Sequence, residues 1–181
     1  MAYEIVKFTD DALQTVLGVP RVFLPLVLKG CVAWAKENGV ELKPGIFELL
    51  DYMEARGIAA AITSSSPMDA IRKHLSAVNL LHRFRKLCSG HDIPNTKPAP
   101  DIYLKVAEDL GVKPENCLVF EDIPNGMRAG KAAGMTVVGV EDESAKKHRA
   151  EIDEICDYFI KDYYEVLEGK LEVEYELSSG K

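Results

Sequence analysis

The chain has 181 residues, 47% of them apolar and 28% charged, which suits one globular domain with a small appendage. The net charge is −7 and no basic run occurs, so a nucleic-acid partner is not expected. The most apolar stretch, Val22 to Trp34, is broken by Pro25, Lys29 and Gly30 and falls short of the about 20 apolar residues that span a bilayer.

Glu4 and Lys7 interrupt any signal-peptide pattern, so the expectation is a cytoplasmic protein with no membrane partner. Cys31, Cys88, Cys117 and Cys156 are widely spaced without a Cys-x-x-Cys pair and read as reduced, mostly buried apolar residues.

In chain order, Thr9 is placed to cap a helix from Asp10 to Leu17, closed by Gly18, and a second helix is expected from Phe23 to Asn38. From Gly45 onward helix and strand alternate. Ile46 to Arg56 reads as an amphipathic helix stopped by Gly57, and Ile58 to Thr63 as a strand buried on both faces. Pro67 to Ala77 is a helix, Arg85 to Ser89 a short strand, and Pro100 to Leu110 a helix ended by Gly111. Cys117 to Phe120 is a strand, Pro124 to Ala133 a helix ended by Gly134, Met135 to Val140 a strand, and Asp157 to Ile160 the last of the parallel set. The tail Lys170 to Leu177 alternates apolar and charged residues, as a half-exposed edge strand does. The expected division is a segment 1–42 followed by an α/β domain 43–181.

Such βα repetition makes a parallel sheet with helices on both faces, and ligands bind beyond the carboxyl ends of its strands. Polar residues fall where that rule wants them. Ser64 and Ser65 follow one strand, where a hydroxyl, backbone N–H groups and the next helix N-terminus suit a phosphate; a turn or cap serine is the plainer alternative. Lys97 lies in Lys97-Pro98-Ala99-Pro100, a stiff frame that suits a fixed cation for phosphoryl chemistry; a solvated loop lysine is the alternative. Glu121 and Asp122 end another strand as adjacent carboxylates, which a hard cation such as Mg²⁺ would relieve; helix-start acids are the alternative. His91 and Asp92 fall on a loop near the same mouth.

Taken together, Ile62-Thr63-Ser64-Ser65-Ser66, Lys97-Pro98-Ala99-Pro100-Asp101 and Val119-Phe120-Glu121-Asp122, with Asn125-Gly126 and Ala133-Gly134-Met135, resemble motifs II, III and IV of the haloacid dehalogenase (HAD) superfamily. The nearest resemblance is to the β-phosphoglucomutase-like subfamily with a helical cap, over about Lys43 to Ile160. The resemblance implies an α/β Rossmannoid fold preceded by a trimmed helical cap remnant, and a Mg²⁺-dependent phosphatase or phosphomutase acting on small phosphorylated metabolites such as sugar phosphates. It assigns the phosphoryl group to Ser64, with Ser65 beside it, the phosphate and nucleophile to Lys97, and Mg²⁺ to Glu121 and Asp122. Leu17-Gly18-Val19-Pro20-Arg21 resembles a cap stretch whose arginine grips the substrate's second phosphate, which implies a substrate-binding role for Arg21; a surface arginine is the alternative.

One departure stands out. The family's first strand ends in Asp-x-Asp, which supplies the nucleophile and the acid/base group, and no such motif follows an apolar strand here. The chain is therefore expected to start inside the cap and to be inactive as given, with a non-catalytic phosphate-binding or protein-interaction module as the alternative. A second alignment makes Tyr3 to Phe8 the missing strand and sets Thr9 in the nucleophile's place, with Asp11 keeping the acid/base position. Glu4 and Lys7 speak against it, because burying unpaired charge is costly. The missing strand would lie between those ending at Thr63 and Phe120. Three outcomes are open: the neighbours close on each other, another segment or subunit fills the slot, or the domain is marginally stable.

Overall fold

The computed structural model describes residues 3–7, 26–28, 32–35 and 39–174. An eight-stranded sheet organises them. Its members are β1 (Tyr3–Lys7), β2 (Leu26–Leu28), β5 (Ala60–Ser64), β6 (Lys86–Ser89), β7 (Leu118–Glu121), β8 (Thr136–Val140), β9 (Tyr158–Ile160) and β10 (Lys170–Glu174). The spatial order is β1-β10-β9-β8-β7-β2-β5-β6, and β3 (Val32–Ala35) pairs antiparallel with β4 (Gly39–Leu42) apart from it. From β6 across to β9 all pairings are parallel; β10 is antiparallel to both β9 and β1.

The helices are α1 (Ile46–Ala55), α2 (Met68–Ala77), α3 (Asp101–Leu110), α4 (Pro124–Ala132), α5 (Arg149–Ile155) and α6 (Tyr163–Leu167). The two-residue period of the strands sorts the core into two halves. Phe120, Val138 and Ile160 face a cluster with Leu49, Leu50 and Met53 of α1, Ile71 and Leu75 of α2, and Tyr163 of α6. Their neighbours Val119, Val137 and Phe159 face the opposite cluster, with Ile102, Tyr103 and Val106 of α3, Met127 of α4 and Ile152 of α5. A sheet covered on both sides buries each residue of a strand, which is why these runs are continuously apolar.

Gly45 begins α1 at φ 82°, and a Cβ there would stand 2.6 Å from the Tyr164 backbone nitrogen. Only glycine permits that approach, which brings the start of α1 against α6.

The expected elements from Ile46 to Ile160 are present, with ends shifted by one or two residues, and α5 and α6 join them. The described residues among the first forty differ from expectation. Phe23 to Asn38 is not one helix: residues 26–28 and 32–35 are strands. β2 occupies the slot between β5 and β7, pairing Leu26 with Ala60 and Leu118, and Val27 with Ala61 and Val119. Without a strand there, the facing backbone groups of β5 and β7 would lack ladder partners, and that requirement outweighs the helical reading of an apolar run.

Tyr3–Lys7 is a strand, but at the outer edge against β10, so it does not fill the central slot. That position spares Glu4 and Lys7 from lying between two inner strands. β10 in turn is flanked on both sides and is not the edge strand the tail pattern suggested. Strands from the first 42 residues thus pair with strands beyond residue 43. The expected helix from Asp10 to Leu17, its cap Thr9, and Arg21 lie outside the described residues.

Candidate functional site

Parallel strands end on one edge, so Ser64 of β5, Ser89 of β6 and Glu121 of β7 share a rim. The loop carrying Lys97 closes over it. Asn95 Nδ2 donates to Asp101 Oδ1 at 2.8 Å, which ties the loop to the first turn of α3. Lys97 Nζ then donates to Glu121 Oε1 at 2.6 Å, to the Tyr103 hydroxyl at 2.9 Å and to Thr63 Oγ1 at 3.4 Å. An ammonium has three protons, and each has an acceptor here.

The pair is deeply buried: the Lys97 side chain is 6% exposed and that of Glu121 is 0%. The Tyr103 hydroxyl donates to the same Glu121 Oε1 at 2.7 Å. Burial, and then the charge and hydrogen bond of Glu121, push the Tyr103 phenol well above its usual range, so it stays neutral and donating. Glu121 Oε2 has no hydrogen-bond partner among the described residues. Gly126 on α4 makes room for this carboxylate, since a Cβ there would lie 2.2 Å from Glu121 Cδ.

On the β5 side, Ser64 Oγ accepts from Ser66 N at 3.1 Å, so the serine also shapes its own turn. Ser66 O in turn accepts from Ser89 Oγ at 2.7 Å, and Ser89 Oγ accepts from His91 N at 3.1 Å. Ser65 is exposed, as are His91 and Asp92. Asp122 is nearly buried beside Glu121. Cys117 and Cys156 are shielded from reaction, as burial raises their thiols to about 12 and about 11.

The contacts join Lys97 with Glu121, and chain adjacency sets Ser64 beside Thr63 and Asp122 beside Glu121. They also bring in Tyr103, Thr63, Ser89 and Gly126, which sequence reasoning gave no part in the site. Tyr103 sits in an apolar helical stripe with Ile102, Val106 and Ala107 and reads as core; the hint was its hydroxyl, which a buried tyrosine must satisfy. No group of three or more His, Cys, Asp or Glu gathers among the described residues, and none of their helices is long and apolar enough to cross a membrane.

The comparison with known proteins agrees with this α/β fold. The profile of the haloacid dehalogenase-like hydrolases matches residues 7–140. The chain belongs to that family. The HAD fold is also what the solved structures show: CbbY from Rhodobacter sphaeroides, in complex with phosphate, superposes with a TM-score of 0.63 at 26% identity, covering 70% of this chain and 56% of that one.

Two relatives are named for the phosphorylated compounds they act on. A phosphorylated carbohydrates phosphatase of Thermotoga maritima is 32% identical over 145 residues, 71% of this chain and 67% of that protein. Hexitol phosphatase B of Escherichia coli is 37% identical over 99 residues, 55% of this chain and 45% of that protein. This chain therefore spans about half to two thirds of the length of the relatives it matches.

Proposed function

We propose that this HAD chain binds a small phosphorylated metabolite of the sugar-phosphate class together with Mg²⁺ at the rim of Ser64, Lys97, Glu121 and Asp122, and that as given it does not turn the ligand over. The observation that carries the reading is the buried Lys97–Glu121 pair at the carboxyl end of the sheet, with one glutamate oxygen unpartnered among the described residues.

The donor set fits the cation. Mg²⁺ is commonly held by one or two carboxylates, with water and phosphate oxygens completing its shell. Glu121 Oε2 and Asp122 supply that many. Bound there, Mg²⁺ would neutralise and orient a phosphoryl group. Each residue then has a definite task. Lys97 balances Glu121 and keeps it from repelling Asp122. Ser64 and the N–H groups before α2 face the phosphate oxygens, and the dipole of α2 favours the anion. Arg21 is the proposed partner for a second phosphate, and Ser65 a further substrate contact.

Glu121, Asp122 and Lys97 together carry a net negative charge, so a phosphate dianion binds here only with the metal. The relatives' printed activities on phosphorylated carbohydrates and hexitol phosphates support the substrate class. The absence of turnover rests on the sequence: no Asp-x-Asp occurs in it, and losing a covalent nucleophile removes many orders of magnitude in rate.

Two measurements test the proposal. Inorganic phosphate should raise the melting temperature in the presence of Mg²⁺ and not in its absence; at 100 times Kd the gain is about 2.7 kcal/mol. Stabilisation independent of Mg²⁺ would refute the charge argument. Hydrolysis of p-nitrophenyl phosphate with Mg²⁺ should stay at the blank rate. Hydrolysis that disappears in Asp122→Ala would show that the chain is an active phosphatase.

A further inference from the structure

Tyr103 belongs to none of the motifs that resemble the family, yet it reaches the centre of the rim. Its ring is fully buried in the core stripe of α3. Its hydroxyl accepts from Lys97 Nζ at 2.9 Å and donates to Glu121 Oε1 at 2.7 Å, and Lys97 Nζ stands 4.5 Å from the ring centroid. Two donors therefore converge on one carboxylate oxygen, while Oε2 has none among the described residues. Gly126 lies against the same carboxylate with room for no more than a hydrogen, so the group has little freedom to turn.

We propose that Tyr103 is a positioning residue that holds Glu121 so that it offers a cation one oxygen, Oε2, and thereby sets a preference for Mg²⁺ over Ca²⁺. The proposal rests on the reading that Glu121 and Asp122 hold the cation. The two ions differ in what they ask of a carboxylate. Mg²⁺ takes single oxygens in a tight octahedron at about 2.0–2.1 Å, whereas Ca²⁺ takes six to eight oxygens at about 2.3–2.6 Å and often both from one carboxylate. Oε1, held by an ammonium and a phenol, is withdrawn from the second mode. Lys97 alone does not enforce this, because an ammonium on a flexible stem can follow a turning carboxylate. A phenol on a buried ring cannot.

The test is calorimetric titration of the full chain with MgCl₂ and with CaCl₂, for the wild type and for Tyr103→Phe. The ratio of the Ca²⁺ to the Mg²⁺ dissociation constant should fall by about fivefold in the variant, the equivalent of one hydrogen bond at about 1 kcal/mol. A folded variant that binds both ions with the wild-type ratio overturns the role of Tyr103 and leaves the metal reading standing. A wild type that binds neither ion overturns both.

Difference infrared spectra of the wild type with and without Mg²⁺, assigned by uniform ¹³C-glutamate labelling, do not depend on a variant folding. The carboxylate stretches of one-oxygen coordination support the proposal, and those of two-oxygen coordination overturn it.

Discussion

Replacing Lys97 with methionine keeps most of the stem and removes the charge. Glu121, at 0% exposure, is then left with the Tyr103 hydroxyl as its side-chain donor among the described residues. Removing one partner of a buried pair costs about 3–5 kcal/mol, because the other charge stays desolvated. The pair Arg83–Glu54, whose glutamate is 54% exposed, provides the contrast: Glu54→Gln should cost no more than about 1 kcal/mol. Urea denaturation at neutral pH measures both, with the slope checked for constancy so that midpoints convert to free energy. The double variant Lys97→Met with Glu121→Gln should recover at least half of the single-variant loss, since no uncompensated charge is left. A loss below about 1 kcal/mol for Lys97→Met, with an unchanged slope, would refute the claim that this pair is held out of water.

Three further outcomes concern Gly126, the central strand and a buried thiol. Gly126→Ala lies in a helix, where alanine ordinarily gains about 1 kcal/mol, but here its Cβ would fall 2.2–2.4 Å from three Glu121 atoms, so the net should be a loss of about 1–3 kcal/mol; a raised melting temperature would contradict the packing. Val27→Pro removes a ladder donor from a strand paired on both sides, and should lower the urea midpoint sharply; tolerance would mean that β2 does not hold the central slot. The Cys117 thiol is raised from 9.0 to about 12 by burial, so its contribution to stability is complete below pH 9 and is lost as pH climbs from 9 toward 12. Cys117→Ala should flatten the fall in melting temperature over that window, and an unchanged profile would count against the shift.

Much of the fold was legible because local chemistry forced it. Gly57, Gly111 and Gly134 stop amphipathic helices, and apolar runs such as Met135 to Val140 suit strands covered on both sides. Ser64, Lys97, Glu121 and Asp122 were legible as candidates because each ends a strand or stands in a stiffened loop, and parallel strands bring such ends to one edge.

The tertiary structure alone decided the rest. Between Phe23 and Asn38 the apolar run reads as a helix, and β2 is three residues long, too short to carry a strand period against that reading. What places it is the need of β5 and β7 for ladder partners, a demand from chain segments more than thirty residues away. Likewise the sequence offers Lys97 a phosphate and Glu121 a metal, but it cannot show that the two bind each other and that Tyr103 holds them. That pairing is set by how α3 and α4 pack on the sheet, because an ammonium and a carboxylate excluded from water are stable only when packing sets them side by side.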